Sequence, residues 1–128
     1  MVILWNSASG TVQCSVVDGS HRYDYEWKAE RTLARDMLAY IRDVLAEHDH
    51  QFSDITGIGV FRGPGSFTGL RIGLTVLNTI AHEQQCAIVG ETGDAWQETA
   101  LNRLRKGEND HIVLPEYGAE AHITLPRK

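Results

Sequence analysis

Apolar residues recur at every second position through much of the first 28 residues of this chain and at every third or fourth through the next 20. That change of period narrows the fold to a sheet that starts antiparallel and is then crossed by helices. "VILW" is a short continuous apolar run, "TVQCSVV" alternates, and "DG" turns the chain into "RYDYEW", where Tyr23, Tyr25 and Trp27 point to one side. From about Glu26 to His48 the spacing is helical, with Leu33, Met37, Tyr40, Ile41, Val44 and Leu45 recurring at three and four. "ITGIGVF" then reads as a strand, "TGLRIGLTVLNTIAHEQ" as a helix and "AIVG" as a strand. "DAWQETALNRLRKG" reads as a helix with Asp94 as N-cap and Gly107 as its stop.

The predicted order is therefore βββαβαβα: an α/β fold with a mixed five-stranded sheet, in the ribonuclease H-like or actin-like arrangement of a single domain. Residues 1–106 are expected to form that domain, and 107–128, with two prolines and no long periodicity, an extended C-terminal tail. A chain of 128 residues with 42% hydrophobic content can bury one core. Its formal charge of −5, with both signs interspersed, argues against binding nucleic acid by phosphate neutralisation alone. No apolar run is long enough to cross a membrane and no secretory leader is legible, which makes the cytoplasm the expected location. Cys14 and Cys86 stand far apart and suggest neither a zinc knuckle nor a disulfide framework.

The stretch "GPGSFTGLRIG", residues 63–73, resembles a phosphate cradle placed between a strand and a helix. It lacks the lysine of a Walker A loop, and its glycines at GxGxxG spacing are not followed by a convincing ribose partner. Backbone N–H groups of Ser66 to Gly69 at the helix start could still receive an anion. The competing reading is structural: Pro64 stiffens a turn, the flanking glycines take conformations closed to other residues, and Ser66 or Thr68 caps the helix.

The helix that follows separates, at about 100° per residue, into two apolar faces and a polar stripe. Leu70, Leu74, Leu77 and Ala81 form one face. Ile72, Gly73, Val76, Thr79 and Ile80 form the other, with Arg71, Thr75, Asn78 and His82 between. In the first helix, Leu33, Ala34, Met37, Leu38, Tyr40, Ile41, Val44 and Leu45 also span a wide arc. Either the helices cover one another within one layer, or a face awaits another chain. Leu38, Ile72, Gly73, Val76, Thr79 and Ile80 are the candidate interface residues, and exposure of the whole surplus would exceed what monomers tolerate.

Catalytic constellations are sparse. The first strand ends in Asn6, where metal-dependent nuclease chemistry of this fold wants a carboxylate. Ser7, Ala8, Ser9 and Gly10 could touch phosphate or simply form a tight hairpin. "HDH" at 48–50 sits at a helix end, no HxxxH pair occurs, and Ser66 has no base beside it in sequence, so no metal site and no catalytic residue is assigned. Trp5 and Trp96 read as core.

"GVFRGPGSFTGLRIGL" resembles the signature of the TsaB (YeaZ) family, the motif loop being Gly63, Pro64, Gly65, Ser66, Phe67, Thr68, Gly69 and Arg71. The likeness extends from "VILWNSASGTVQCSVV" to about Leu104. Members usually carry Asp-Thr where this chain has Asn6-Ser7, and usually continue into a second actin-like domain; both differences count against a nucleotide site. The closing "VLPEYGAEAHIT" is similar to the tail of abbreviated members, which implies a chain that is whole without that domain. The resemblance further implies a non-catalytic partner of TsaD in making threonylcarbamoyladenosine beside the tRNA anticodon, docking through its first two helices. It implies no cofactor on this chain, ATP and metal on partner subunits, TsaE as a further partner, and tRNA met only through the complex. A self-associating homodimer through the same helices and a small nucleotide-binding or hydrolysing actin-like enzyme are the alternatives.

Overall fold

The computed structural model describes residues 1–116. Strands β1 (Val2–Asn6), β2 (Thr11–Asp18) and β3 (His21–Lys28) form an antiparallel meander; helix α1 (Leu33–Ala46) leads to β4 (Gly57–Phe61), α2 (Phe67–Gln84) to β5 (Ala87–Glu91), and α3 (Trp96–Arg105) follows. The five strands lie in the order β3-β2-β1-β4-β5. β1 is antiparallel to β2, with Trp5 opposite Cys14, and parallel to β4, with Trp5 opposite Val60. This is the mixed sheet and element order that the change of period predicts.

β1 is apolar without interruption because it is covered on both faces. Ile3 and Trp5 join Val12, Cys14, Val16, Ile58 and Val60 under α1 and α2, whereas Leu4 packs with Val89, Trp96 and Ala100 under α3. β3 is an edge strand whose aromatic side faces α1. Trp27 stacks on Tyr40 with ring centroids 4.4 Å apart, and Tyr40 meets the edge of Trp5 at 6.4 Å.

Two helix starts differ from the sequence expectation. Trp27 and Lys28 stay in β3, paired with Val12 and Thr11, and Glu30 takes a left-handed φ of 47°, so a short 3-10 turn (Glu30–Thr32) precedes α1. Asp94 does not cap α3: the turn at Gly93 carries the chain one residue further, the N-cap is Ala95, and the Trp96 amide donates to the Gly93 carbonyl. Gly107, at φ 81°, does follow the end of that helix.

Beyond Gly107 the described chain returns to the sheet. Asn109 Oδ1 accepts from the Ile88 amide at 3.1 Å and Asp110 Oδ2 from the Gly90 amide at 2.9 Å, while the Asp110 amide donates to Ile88 O. These bonds occupy the outer edge of β5, which would otherwise offer unpaired backbone groups. Val113 is buried, its amide and carbonyl both held by the side chain of Asn78. Residues 107–116 are thus a strap across the β5 edge; the remainder of the tail, 117–128, lies outside the described residues.

Candidate functional site: the motif loop and the α1–α2 groove

The glycine-rich loop between β4 and α2 is packed against the turn that follows β1. Ser66 is the N-cap of α2: its Oγ accepts from the Gly69 amide, and its own amide donates to the Ala8 carbonyl at 2.7 Å. Two of the amides that could have received an anion are therefore already engaged. Ser7 Oγ is equally committed, accepting from Trp5 Nε1 at 3.0 Å and donating to Gly69 O at 2.9 Å. Asn6 Oδ1 accepts from the Ala8 amide at 2.9 Å and shapes the same turn.

This contact explains the glycine spacing. A Cβ at Gly69 would run into the Ser7 carbonyl oxygen, and one at Gly73 into Ser7 Oγ and Trp5 Nε1. Gly65 lies against Ala8, and Gly63, at φ 120°, is buried beneath Glu116. The motif brings a helix start within backbone contact of the β1–β2 turn, with Pro64, Phe67 and Thr68 left on the outside.

The structure divides the candidate interface residues. Gly73 lies against Trp5 and Ser7, and Ile80 is in the main core, so neither is on the outward face that the wheel gave them. The reason is angular: at about 100° per residue Gly73 and Ile80 fall roughly 40° and 60° from Leu77, within the width of a single buried stripe. Ile72 and Val76 are half-buried on the flank toward α1; Thr79 is exposed and donates to Thr75 O at 2.8 Å. Leu38 is 54% exposed. Most of the double-faced apolar surface is thus consumed inside the chain, since α1 and α2 lie side by side in one core.

A narrower strip remains. Between the helices runs an open groove of about 440 Å³ lined by Ala34, Thr68, Arg71, Ile72, Thr75 and Val76. Leu38, one turn beyond Ala34, and Phe67, 53% exposed, add apolar surface from α1 and from the start of α2. The Arg71 guanidinium lies 5.1 Å from the centre of the Phe67 ring. Ala34 belonged to the wide arc of α1 and Arg71 to the polar stripe of α2 as well as to the motif, whereas Phe67 entered the sequence reading only as a motif residue. The signal for Phe67 was a bulky aromatic at the first helical position, where the core is not yet within reach.

The histidines at the end of α1 are tied into local structure. His48 stacks on Tyr23 with centroids 4.0 Å apart and meets the Tyr25 hydroxyl at 2.6 Å, while His50 bridges Asp18 and Asp54 at 2.8 and 3.3 Å. Among the described residues no three His, Cys, Asp or Glu side chains are grouped to hold a metal ion, and no helix is long and apolar enough to cross a membrane. Burial pushes the Cys14 thiol up to about 12, which leaves it an unreactive core side chain.

A family model described as "TsaD: tRNA N6-adenosine threonylcarbamoyltransferase" matches residues 27–92, just over half of the chain and all of the segment that builds the groove. Curated relatives are the tRNA threonylcarbamoyladenosine biosynthesis proteins TsaB of Escherichia coli K12, 28% identical over 105 residues, and of Haemophilus influenzae, 27% identical over 81. The chain belongs to the TsaB/YeaZ family. The E. coli match takes in 75% of this chain and 45% of the relative, and the H. influenzae match 63% and 34%, so the chain spans less than half the length of the relatives it matches. Its fold is that of YeaZ from Pseudomonas aeruginosa, with a TM-score of 0.68 over 83% of this chain and 49% of the other at 23% identity. For a TsaB/YeaZ chain, the motif loop is accounted for here by backbone packing, and the groove is the surface left to do something else.

Proposed function

We propose that this chain is a non-catalytic subunit that docks a TsaD threonylcarbamoyltransferase through the α1–α2 groove, in the synthesis of threonylcarbamoyladenosine next to the tRNA anticodon. The observation that carries the reading is the groove itself. It is an apolar strip formed by Ala34, Ile72, Val76 and their neighbours Leu38 and Phe67, within the segment the family model matches. Exposed apolar residues grouped along two adjacent helices favour docking over an isolated surface role. On this reading ATP and metal belong to partner subunits, TsaE joins the assembly through TsaD, and tRNA is met only by the complex.

A small nucleotide-binding enzyme is the rival, and the loop counts against it. Ser7 and Ser66 spend their hydroxyls on Gly69, Asn6 spends its carbonyl oxygen on Ala8, and the Ser66 amide is taken by Ala8.

The test is co-expression of the tagged chain with TsaD of the same organism. Val76→Glu puts a carboxylate into the groove, where desolvation without a partner costs several kcal/mol. TsaD is expected to co-purify with the wild type and not with the variant, while circular dichroism shows the variant folded. Undiminished capture by a folded Val76→Glu chain, or micromolar ATP binding by the isolated wild type, would overturn the reading.

A further inference from the structure

The strap over β5 is held by the rest of the chain as a peptide is held by a receptor. It forms neither helix nor strand, and it gives the core one side chain, Val113, while its neighbours Ile112 and Leu114 are 65% and 68% exposed. Side chains of the body grip its backbone: Asn78 donates to Val113 O at 3.0 Å and accepts from the Val113 amide at 2.9 Å, and Arg62 Nη1 donates to Leu114 O at 3.3 Å. In return Asn109 and Asp110 satisfy the edge amides of Ile88 and Gly90, and the Glu116 amide donates to Arg62 O at 2.6 Å. Gly90 makes room for the anchor, since a Cβ there would run into Val113. The body thus presents a slot made of two edge amides, an amide side chain that imitates a neighbouring strand, and an apolar seat over a glycine. This is strand addition, in which backbone bonds supply affinity and the seat supplies selection.

The joint between slot and strap is narrow. Gly107, at φ 81°, follows α3, and no atom lies within 4 Å of where its Cβ would stand. Apart from Val113, the strap is fastened by polar contacts, Arg103 to Glu108 and Asp110 among them, so it can open locally at less cost than global unfolding. From this arrangement we propose that the strap is an exchangeable ligand. The slot on β5 and α2 is a binding site for an extended Asn-Asp-x-x-Val peptide, filled by the chain's own residues 109–113 and, when the joint at Gly107 opens, by the same segment of a second copy. Exchange remakes every strap contact with the partner and leaves association entropy as its cost. The tether favours the closed chain, because it holds the strap at an effective concentration on the order of millimolar. The site is separate from the α1–α2 groove and does not depend on the docking function.

The experiment uses the full chain and a fluorescent peptide of residues 107–116. Val113→Asp sets a carboxylate in the buried seat, which lifts the strap and empties the slot. The peptide is expected to bind the folded Val113→Asp chain, and the wild type at least about tenfold more weakly because its tethered strap competes. Adding Asn78→Ala to the Val113→Asp chain should weaken binding about tenfold, and a peptide bearing Val113→Asp should not bind. A folded Val113→Asp chain that ignores the wild-type peptide, or takes both peptides alike, would overturn the site. Gly107→Pro is the second variant, needed if Val113→Asp does not fold: it forbids the positive φ of the joint and leaves slot and strap intact. Its sedimentation at high protein concentration should show a dimer that excess peptide disperses. A Gly107→Pro monomer, or a dimer that the peptide leaves whole, would overturn the exchange.

Discussion

The Ser7 hydroxyl lies 2.9 Å from the carbonyl oxygen of Gly69 and donates to it while accepting the Trp5 indole N–H. Ser7 is 2% exposed, so water cannot replace it. Ser7→Ala should leave the indole donor buried without an acceptor and cost about 1–3 kcal/mol, read from urea unfolding. A loss below about 0.5 kcal/mol would mean the bond is not holding the β1–β2 turn to α2.

Gly69 itself makes a sharper case. Alanine is favoured over glycine inside a helix by about 1 kcal/mol, so Gly69→Ala ought to stabilise if only local propensity mattered. The Ser7 carbonyl oxygen stands where the new Cβ would go, and it is backbone. A net loss of stability is expected, measured as a lower melting temperature; a gain would show that the close approach is not needed.

These two residues also show where sequence reading stops. The order of strands and helices was legible because hydrophobic period is a local property, and a hydroxyl cap for α2 was legible as Ser66 or Thr68, of which Ser66 serves. Whether glycines at 65, 69 and 73 cradle a ligand or a neighbouring turn depends on what a residue sixty positions away does, and no local pattern reports that. The wheel erred at Gly73 and Ile80 because it split one buried stripe into two faces, although both residues lie within about 60° of Leu77. Asn109, Asp110 and Val113 carried no periodicity, since their bonds run to Ile88, Gly90 and Asn78.

The strap over β5 hangs on Arg103, whose side chain, 22% exposed, reaches Glu91 at 2.8 Å, Glu108 at 2.7 Å and Asp110. Hydrogen bonds to Asp110 and Glu108 push the guanidinium pKa further up, and Arg103 in turn helps hold the Asp110 carboxyl below its usual range against the opposing effect of burial. Arg103→Met should leave these acids mutually repulsive and loosen the strap, at about 1–2 kcal/mol given the partial exposure. Hydrogen exchange should then quicken at the amides of Ile88 and Gly90, which donate to Asn109 and Asp110. Unchanged protection there would contradict a strap held by this residue.

His50 fastens the β2–β3 hairpin to the segment after α1, and its pKa is raised from the usual 6.5, chiefly by the hydrogen bond to Asp18. Asp18 is lowered below its usual 3.8 first by His50, and Asp54 first by the Gln51 backbone amide and then by His50. The histidine's contribution is therefore fully present below pH 6.5 and is lost as pH rises through its raised folded value. The aspartates' contribution is present above pH 3.8 and is lost as pH falls through their lowered values. The melting-temperature difference between wild type and His50→Gln should peak between about pH 4 and 6.5 and shrink on both sides. A difference flat from pH 4 to 9 would exclude an ionic clasp.

Solvent-accessibility footprinting of this chain with and without TsaD tests the central claim most directly, because it reports which side chains a partner covers. Protection is predicted at Leu38, Phe67, Ile72 and Val76, with Leu101 on α3 and Ile112 on the strap unchanged. Protection confined to α3 or the strap, or none at a TsaD concentration that saturates binding, would contradict docking through the α1–α2 groove.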